Sequence, residues 1–510
     1  MPALPTLHQR TSGLLLHPTS LPGPHGSGDL GPEAFKFAEQ LAAAGQRWWQ
    51  MLPAVPPSGG PSPYQSSSAF AGNPSLISLV RLHEQGLLTA EEIAPEPGLD
   101  GPIVNFAASD KYRETRLRQA FEVFRRREDL LVPFMAWCHQ QSDWLDDFVH
   151  FETLKKLHGD GVWTTWSEPA RHRRADMFHD VVAKHRAELR YHQFVQYVFA
   201  QQWKALRDHC SRLGVGLIGD IPIFVGHDSA DVWAHPELFH LDEQGNPTVV
   251  AGVPPDYFSA TGQRWGNALY RWDVHRRSGY AWWTARFRSI LSSFDAVRVD
   301  HFIGFHRYWE IKADCPTAID GVYRVGPGAD LFAQLERTLG KIPVIAEDLG
   351  VVTPEVKLLR DQFGFPGMRL LQFAFGTDNE AKNYQPHAFP KSCVAYTGTH
   401  DNDTTKGWFD DLTRRAQSDA QARREREFVL RYANCSENDV VWSLIRLAMF
   451  SSANTVIFPV QDILELPTEA RMNLPGSKEG NWAWRLKDNQ LSAQALDKLR
   501  QLTETYGRTE

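Results

Sequence analysis

The chain has 510 residues, 42% of them hydrophobic, and 54 Lys and Arg against 61 Asp and Glu give a net charge of -7. That is ample material for a large core, and the mixed charges exclude the basic patch of a nucleic-acid binder or the polybasic stretch of a membrane-surface protein. No stretch of about 20 apolar residues and no basic-then-apolar leader occurs. The five cysteines (Cys138, Cys210, Cys315, Cys393 and Cys435) are odd in number and lack a CxxC pair, so no disulfide framework or structural zinc site is implied and a reducing, cytoplasmic setting is expected.

Eight β-rich apolar runs, most ending in polar or acidic residues, follow one another along the chain. They are 13–17 (GLLLH), 47–52 (RWWQML), 216–220 (GLIGD), 296–300 (AVRVD), 343–347 (PVIAE), 368–373 (MRLLQF), 394–399 (VAYTGT) and 455–460 (TVIFPV). Stretches of helical period separate most of them, at 32–44, 187–213, 280–293, 331–339, 353–363 and 437–451, with a last helix at 492–505. Eightfold alternation predicts an α/β chain folded as one (β/α)8 TIM barrel over 1–510, with helical insertions at the C-terminal face. The connection between the second and third runs is too long for one crossover. Residues 56–185, opening with PPSGGPSPYQSSS and helical near 111–127 and 144–156, are expected to form an inserted, mainly helical subdomain. Residues 240–273, rich in Gly, Pro and aromatics, are expected to form a long, mobile active-site loop.

In barrel strands alternate residues point inward, and the C-terminal ends open onto the active site. In AVRVD this phase turns Ala296, Arg298 and Asp300 inward, with the Arg298 guanidinium one pleat below Asp300, where it favours the ionised carboxylate. The same phase turns Asp220 inward in the third run and Glu347 in the fifth, with Asp348 outward. In the seventh run and its continuation HDND it groups Asp401 with Thr397 and Thr399, and allows Asp403 equally.

Four converging carboxylates suit either divalent-metal binding or glycoside cleavage. The neighbouring histidines and Arg298 argue against a hard-metal cage. The aromatic content, 12% of the chain with 17 Trp, argues for sugar, whose flat C–H faces stack on aromatic rings. Plainer readings stand beside these. Asp300 or Glu347 can be a buried ion-pair partner of Arg298, Asp220 a turn cap, and Tyr64 a packing residue. His301 faces the helices unless the strand ends at Asp300. The Trp pairs at 48–49, 282–283, 482 and 484 read better as core or loop anchors than as sugar platforms, and RRERE at 423–427 as solvated helix.

Six long motifs carry a family resemblance: PSPYQSSSAFAGNP (61–74), GDIPIFV (219–225), PPDYFSATGQRWGN (254–267), VRVDHF (297–302), IAEDLG (345–350) and TGTHDNDTT (397–405). With SGLLLHPTSLPG near the start and GNWAWR at 480–485, the chain resembles the 4-α-glucanotransferases (amylomaltase or disproportionating enzyme) of glycoside hydrolase family 77 along nearly its whole length. The resemblance implies Asp300 as nucleophile, Glu347 as general acid/base and Asp401 as the carboxylate that orients the distorted sugar. It also implies Arg298 beside the nucleophile, His301, His400 and Asp220 as sugar-binding groups, and Tyr64 as an aromatic for longer glucans. Asp256, Tyr257, Phe258 and Trp265 would belong to a loop over the acceptor. Two positions depart from the usual pattern: Ala268 replaces a proline, and Ile303 an arginine.

The implied substrates are α-1,4-glucans and maltooligosaccharides. No cofactor, metal, nucleic acid or membrane is expected as a partner, and the oligomeric state is left open. The implied chemistry is retaining double displacement, for which the two carboxyl groups should lie about 5–5.5 Å apart. Glu347 should begin protonated, its pKa raised by burial and by neighbouring anions. Hydrolysis by the same residues and a silent glucan-binding barrel are the rival functions.

Overall fold

The computed structural model describes residues 2–255, 259–377, 380–477 and 479–509. Eight parallel strands close into a barrel: Thr11–Leu15, Trp48–Gln50, Gly216–Ile221, Ala296–Val299, Val344–Ala346, Gly367–Leu370, Cys393–Tyr396 and Thr455–Pro459. The first pairs with the second and the eighth, and the third with the fourth. All eight expected runs are therefore barrel strands, with ends displaced by at most three residues.

Two apolar layers explain why these runs are continuous. Leu15, Trp48, Ile218, Ala296, Ile345, Met368, Val394, Tyr396 and Ile457 fill the inside of the barrel. Leu14, Trp49, Leu217, Val297, Val299, Val344, Ala395 and Val456 face outward against the helices. A strand buried on both faces has no polar side, so its sequence shows a run and not an alternation. Trp48 fills much of the floor and donates its indole N–H to Thr11 Oγ1 at 3.1 Å. Glycines flank it in register, Gly13 on the first strand and Gly216 on the third. A Cβ on Gly13 would collide with the Trp48 backbone, and one on Gly216 with its ring.

Between the second and third strands lie helices Leu79–Glu84, Phe106–Phe124, Glu128–Gln140, Ser142–Leu157, Glu168–Arg171 and Ala175–Leu213. The last begins earlier than its periodicity suggested, kinks at His185 and ends on left-handed Gly214, whose φ is +75°. From there the chain enters the third strand directly.

The stretch 240–273, expected as a loop, is built around two strands instead. Val249–Val253 and Gln263–Ala268 join Arg307–Lys312 and Val322–Val325 in a four-stranded antiparallel sheet. Val249–Val253 pairs on one side with Gln263–Ala268 and on the other with Arg307–Lys312, beyond the fourth barrel strand. That second partner is distant in sequence, which hid the strand from a local reading. Among the described residues no helix is long and apolar enough to cross a membrane.

Candidate active site

The fourth strand delivers the first acid. Arg298 points into the barrel and is almost fully buried. Its Nη1 lies 3.0 and 2.8 Å from the two oxygens of Asp220, and its Nη2 lies 2.8 Å from Asp300 Oδ1. The Asp220 side chain has no exposure, whereas that of Asp300 is 28% exposed. One guanidinium thus joins a sealed acid to an open one. Burial works against the Arg298 charge, but Asp220 and Asp300 outweigh it and hold the guanidinium well above its usual range. Burial also raises the Asp220 carboxyl, with Arg298 pulling the other way. Asp220 is no turn cap.

The fifth strand delivers the second acid. Val299 pairs with Ala346, and Asp300 and Glu347 are the next residues on strands about 4.8 Å apart. Glu347 Oε2 accepts from the His301 amide at 2.7 Å and Oε1 from the Leu349 amide at 3.0 Å. Burial pushes its carboxyl up to about 8; Arg298 opposes this and Asp300 reinforces it.

His301 holds these two strand ends together. It adopts left-handed φ 50° and ψ 49°, a conformation that costs a non-glycine residue about 1–3 kcal/mol. The strand has stopped at Val299, so alternation no longer governs His301. Its amide turns to Glu347, and its ring meets Trp265 edge-on at 5.0 Å. Burial lowers its pKa, with Asp300 acting in the opposite sense.

The third acid arrives by a different route from the one its phase suggested. The seventh strand ends at Tyr396. Val394 and Tyr396 point inward, so Thr397 points outward and donates to Asp462 at 2.5 Å. Asp401 therefore does not share an inward phase with Thr397 and Thr399. It is carried by a turn in which Asn402 Oδ1 accepts from both the amide and the hydroxyl of Thr399, each at 2.9 Å. Asp403, equally allowed by phase, accepts from Thr468 Oγ1 and from the Thr404 amide at the start of helix Thr405–Arg415, a local structural role.

His400 and Tyr64 link this turn to the first acid pair. The Tyr64 hydroxyl donates to Asp220 Oδ2 at 2.8 Å and lies 2.9 Å from His400 Nε2, which is 3.3 Å from Asp401 Oδ2. With its proton directed at Asp220 Oδ2, the Tyr64 oxygen accepts from His400, so Nε2 carries the hydrogen. The rings of Tyr64 and His400 stack at 5.3 Å. Burial holds Tyr64 well above the usual phenol range and lowers His400. A continuous polar chain results, from Asp300 through Arg298, Asp220, Tyr64 and His400 to Asp401. Tyr64 sits at its centre, half-buried.

Asp256, Tyr257 and Phe258 lie outside the described residues. Three groups at the site carried no signal in the strand pattern: Arg471, Asn473 and, as a site residue, Trp482. The first two bond to Asp401, and the Trp482 ring lies 5.8 Å from Tyr64 and 5.9 Å from His400. They follow the last barrel strand, where neither period nor phase assigns a direction. Among the described residues no group of three or more His, Cys, Asp or Glu is arranged to hold a metal ion.

A family model described as 4-alpha-glucanotransferase matches residues 16–492. The chain belongs to the 4-alpha-glucanotransferase family. It is 47% identical to the 4-alpha-glucanotransferase of Thermus thermophilus, over 98% of this chain and 99% of that relative. It is 44% identical to that of Synechocystis sp., over the same shares of the two chains. In three dimensions it is similar to the amylomaltase of Streptococcus agalactiae solved in complex with acarbose, with a TM-score of 0.93 and 35% identity over 98% of this chain and 100% of that one. The amylomaltase of Corynebacterium glutamicum, at 18% identity and a TM-score of 0.80 over 97% of this chain and 75% of that one, shares the fold.

Proposed function

We propose that this chain transfers α-1,4-glucan segments between maltooligosaccharides, or between starch- and glycogen-type glucans, by retaining double displacement. Asp300 attacks the anomeric carbon while Glu347 gives its proton to the departing O4, leaving a β-glucosyl ester on Asp300. The 4-hydroxyl of a second glucan then attacks the same carbon, its proton passes to Glu347, and the ester bond breaks. Asp401 holds ring hydroxyls of the distorted sugar.

The observation that carries this reading is the contrast between two acids on neighbouring strands: Asp300 on a guanidinium and open to the cleft, Glu347 buried with its pKa near 8. A charged nucleophile beside a protonated acid is what a retaining site requires. Arg298 and His400 act as binding and orienting groups, with Asp220 and Tyr64 joining them behind the sugar. His301 binds the sugar at the cleavage site, and by resemblance Trp265, Asp256, Tyr257 and Phe258 belong to a loop that covers the acceptor side and helps exclude water. The reading includes one catalytic barrel with 56–185 as its helical subdomain. It also includes a reducing, cytoplasmic setting, in keeping with five free thiols.

Incubation with maltotriose tests the proposal. Glucose plus a ladder of longer maltooligosaccharides is expected; release of new reducing ends without longer products would make the chain a hydrolase.

A further inference from the structure

The most exposed of the three acids is also the one whose support comes from outside the barrel. The Asp401 side chain is 41% exposed and stands on a turn, so nothing in the strand framework fixes its χ angles. Asn473 Nδ2 donates to Asp401 Oδ1 at 2.6 Å, while His400 Nε2 faces Oδ2 at 3.3 Å. Oδ1 thus accepts a hydrogen bond from Asn473, whereas the Nε2 hydrogen of His400 is directed at Tyr64, so Asn473 is the side chain that holds the plane of the carboxylate.

The segment holding Asn473 is itself tied down. Arg471 Nη2 donates to the Asp401 carbonyl at 2.6 Å, and its Nε donates to the Asn473 carbonyl at 2.7 Å. The Asn473 amide donates to the His400 carbonyl at 3.0 Å, and the Trp482 amide to the Met472 carbonyl at 2.6 Å. Residues 471–473 thus bind the His400–Asp401 turn through its main chain as well as its carboxylate. Asn473 is half-buried and donates without charge, so it orients Asp401 and leaves its negative charge available to a sugar hydroxyl.

We infer that Asn473, on this strut beyond the last barrel strand, is a positioning residue that sets the carboxylate plane of Asp401 for the distorted sugar. The inference rests on the reading of Asp401 given above. A carboxylate free to rotate away from its hydroxyls loses the part of its interaction that strengthens in the transition state, so kcat suffers more than KM.

The test is maltotriose transfer by Asn473→Ala, Asn473→Asp, Asp401→Asn and the Asn473→Ala/Asp401→Asn double variant. Asn473→Ala should lower kcat by about 10- to 100-fold with KM near wild type. Asn473→Asp, of nearly equal size, faces Asp401 with a like charge. It should lose more at neutral pH and regain activity as the pH falls and one of the two acids takes a proton. In the Asp401→Asn background, Asn473→Ala should add little further loss, because its partner is already gone. Wild-type kcat in Asn473→Ala, a pH-independent defect in Asn473→Asp, or losses that multiply independently in the double variant would each overturn the inference while leaving the role of Asp401 intact. Near-normal transfer by Asp401→Asn would overturn the reading of Asp401 itself, and this inference with it.

Discussion

The ends of the fourth and fifth barrel strands occupy equivalent positions one residue past a paired step, yet they treat their carboxylates in opposite ways. At the fourth, the pleat below supplies Arg298, which pairs with Asp300 at 2.8 Å. At the fifth, the pleat below supplies Ile345, fully buried, and the acid above it meets only two backbone amides. Two amides solvate a carboxylate less well than a guanidinium or water, so burial prevails at Glu347. The inward residue beneath each acid is arginine in one strand and isoleucine in the other, so Asp300 has a cation in direct contact while burial raises Glu347.

Asp300→Asn attacks one side of that contrast and should have the largest effect, a loss of about 10^4-fold or more in kcat for maltotriose transfer. Glu347→Gln should cost about 10^2- to 10^4-fold. A donor whose leaving group needs no proton, such as a glucosyl fluoride, should recover the first step in Glu347→Gln but not in Asp300→Asn. Equal recovery in both would erase the distinction.

The pH profile sharpens the same point. The raised Glu347 carboxyl holds its proton below about 8 and loses it above, so kcat/KM should fall as pH rises through that value, by about tenfold per unit. Glu347→Gln should abolish this alkaline limb.

Arg298→Met leaves Asp220 buried without its cation. The denaturation midpoint should reflect a loss of about 3–5 kcal/mol, larger than for a surface arginine, because the sealed carboxyl loses its partner and has no water to replace it. Trp265→Ala, which removes the ring against His301, should have the smallest effect. A few-fold shift from transfer toward hydrolysis is expected, read as new reducing ends per longer product.

The barrel was legible because both faces of every strand are buried, and Asp220, Arg298, Asp300 and Glu347 were legible because each stands on a strand or one step past its end. The side sheet was not, since Val249–Val253 depends on Arg307–Lys312, which lies beyond the whole fourth strand and its turn. His301 and Asp401 were nameable by resemblance, but strand phase pointed one outward and grouped the other with Thr397, which faces the helices. In both places the strand stops before the functional residue, and a period of two has no meaning in a turn.

Sequence alone determined the eightfold strand–helix order, the inward acids of the third, fourth and fifth strands and the family, because these depend on local period and on contiguous motifs. Tertiary structure alone decided that Asp220 is sealed against Arg298 and Tyr64, that a left-handed His301 gives its amide to Glu347, and that Asn473 reaches back to Asp401. Those contacts join residues 46 to 156 positions apart through side-chain and turn hydrogen bonds, whose directions follow from how the strands close into a ring and leave no imprint on local hydrophobic pattern.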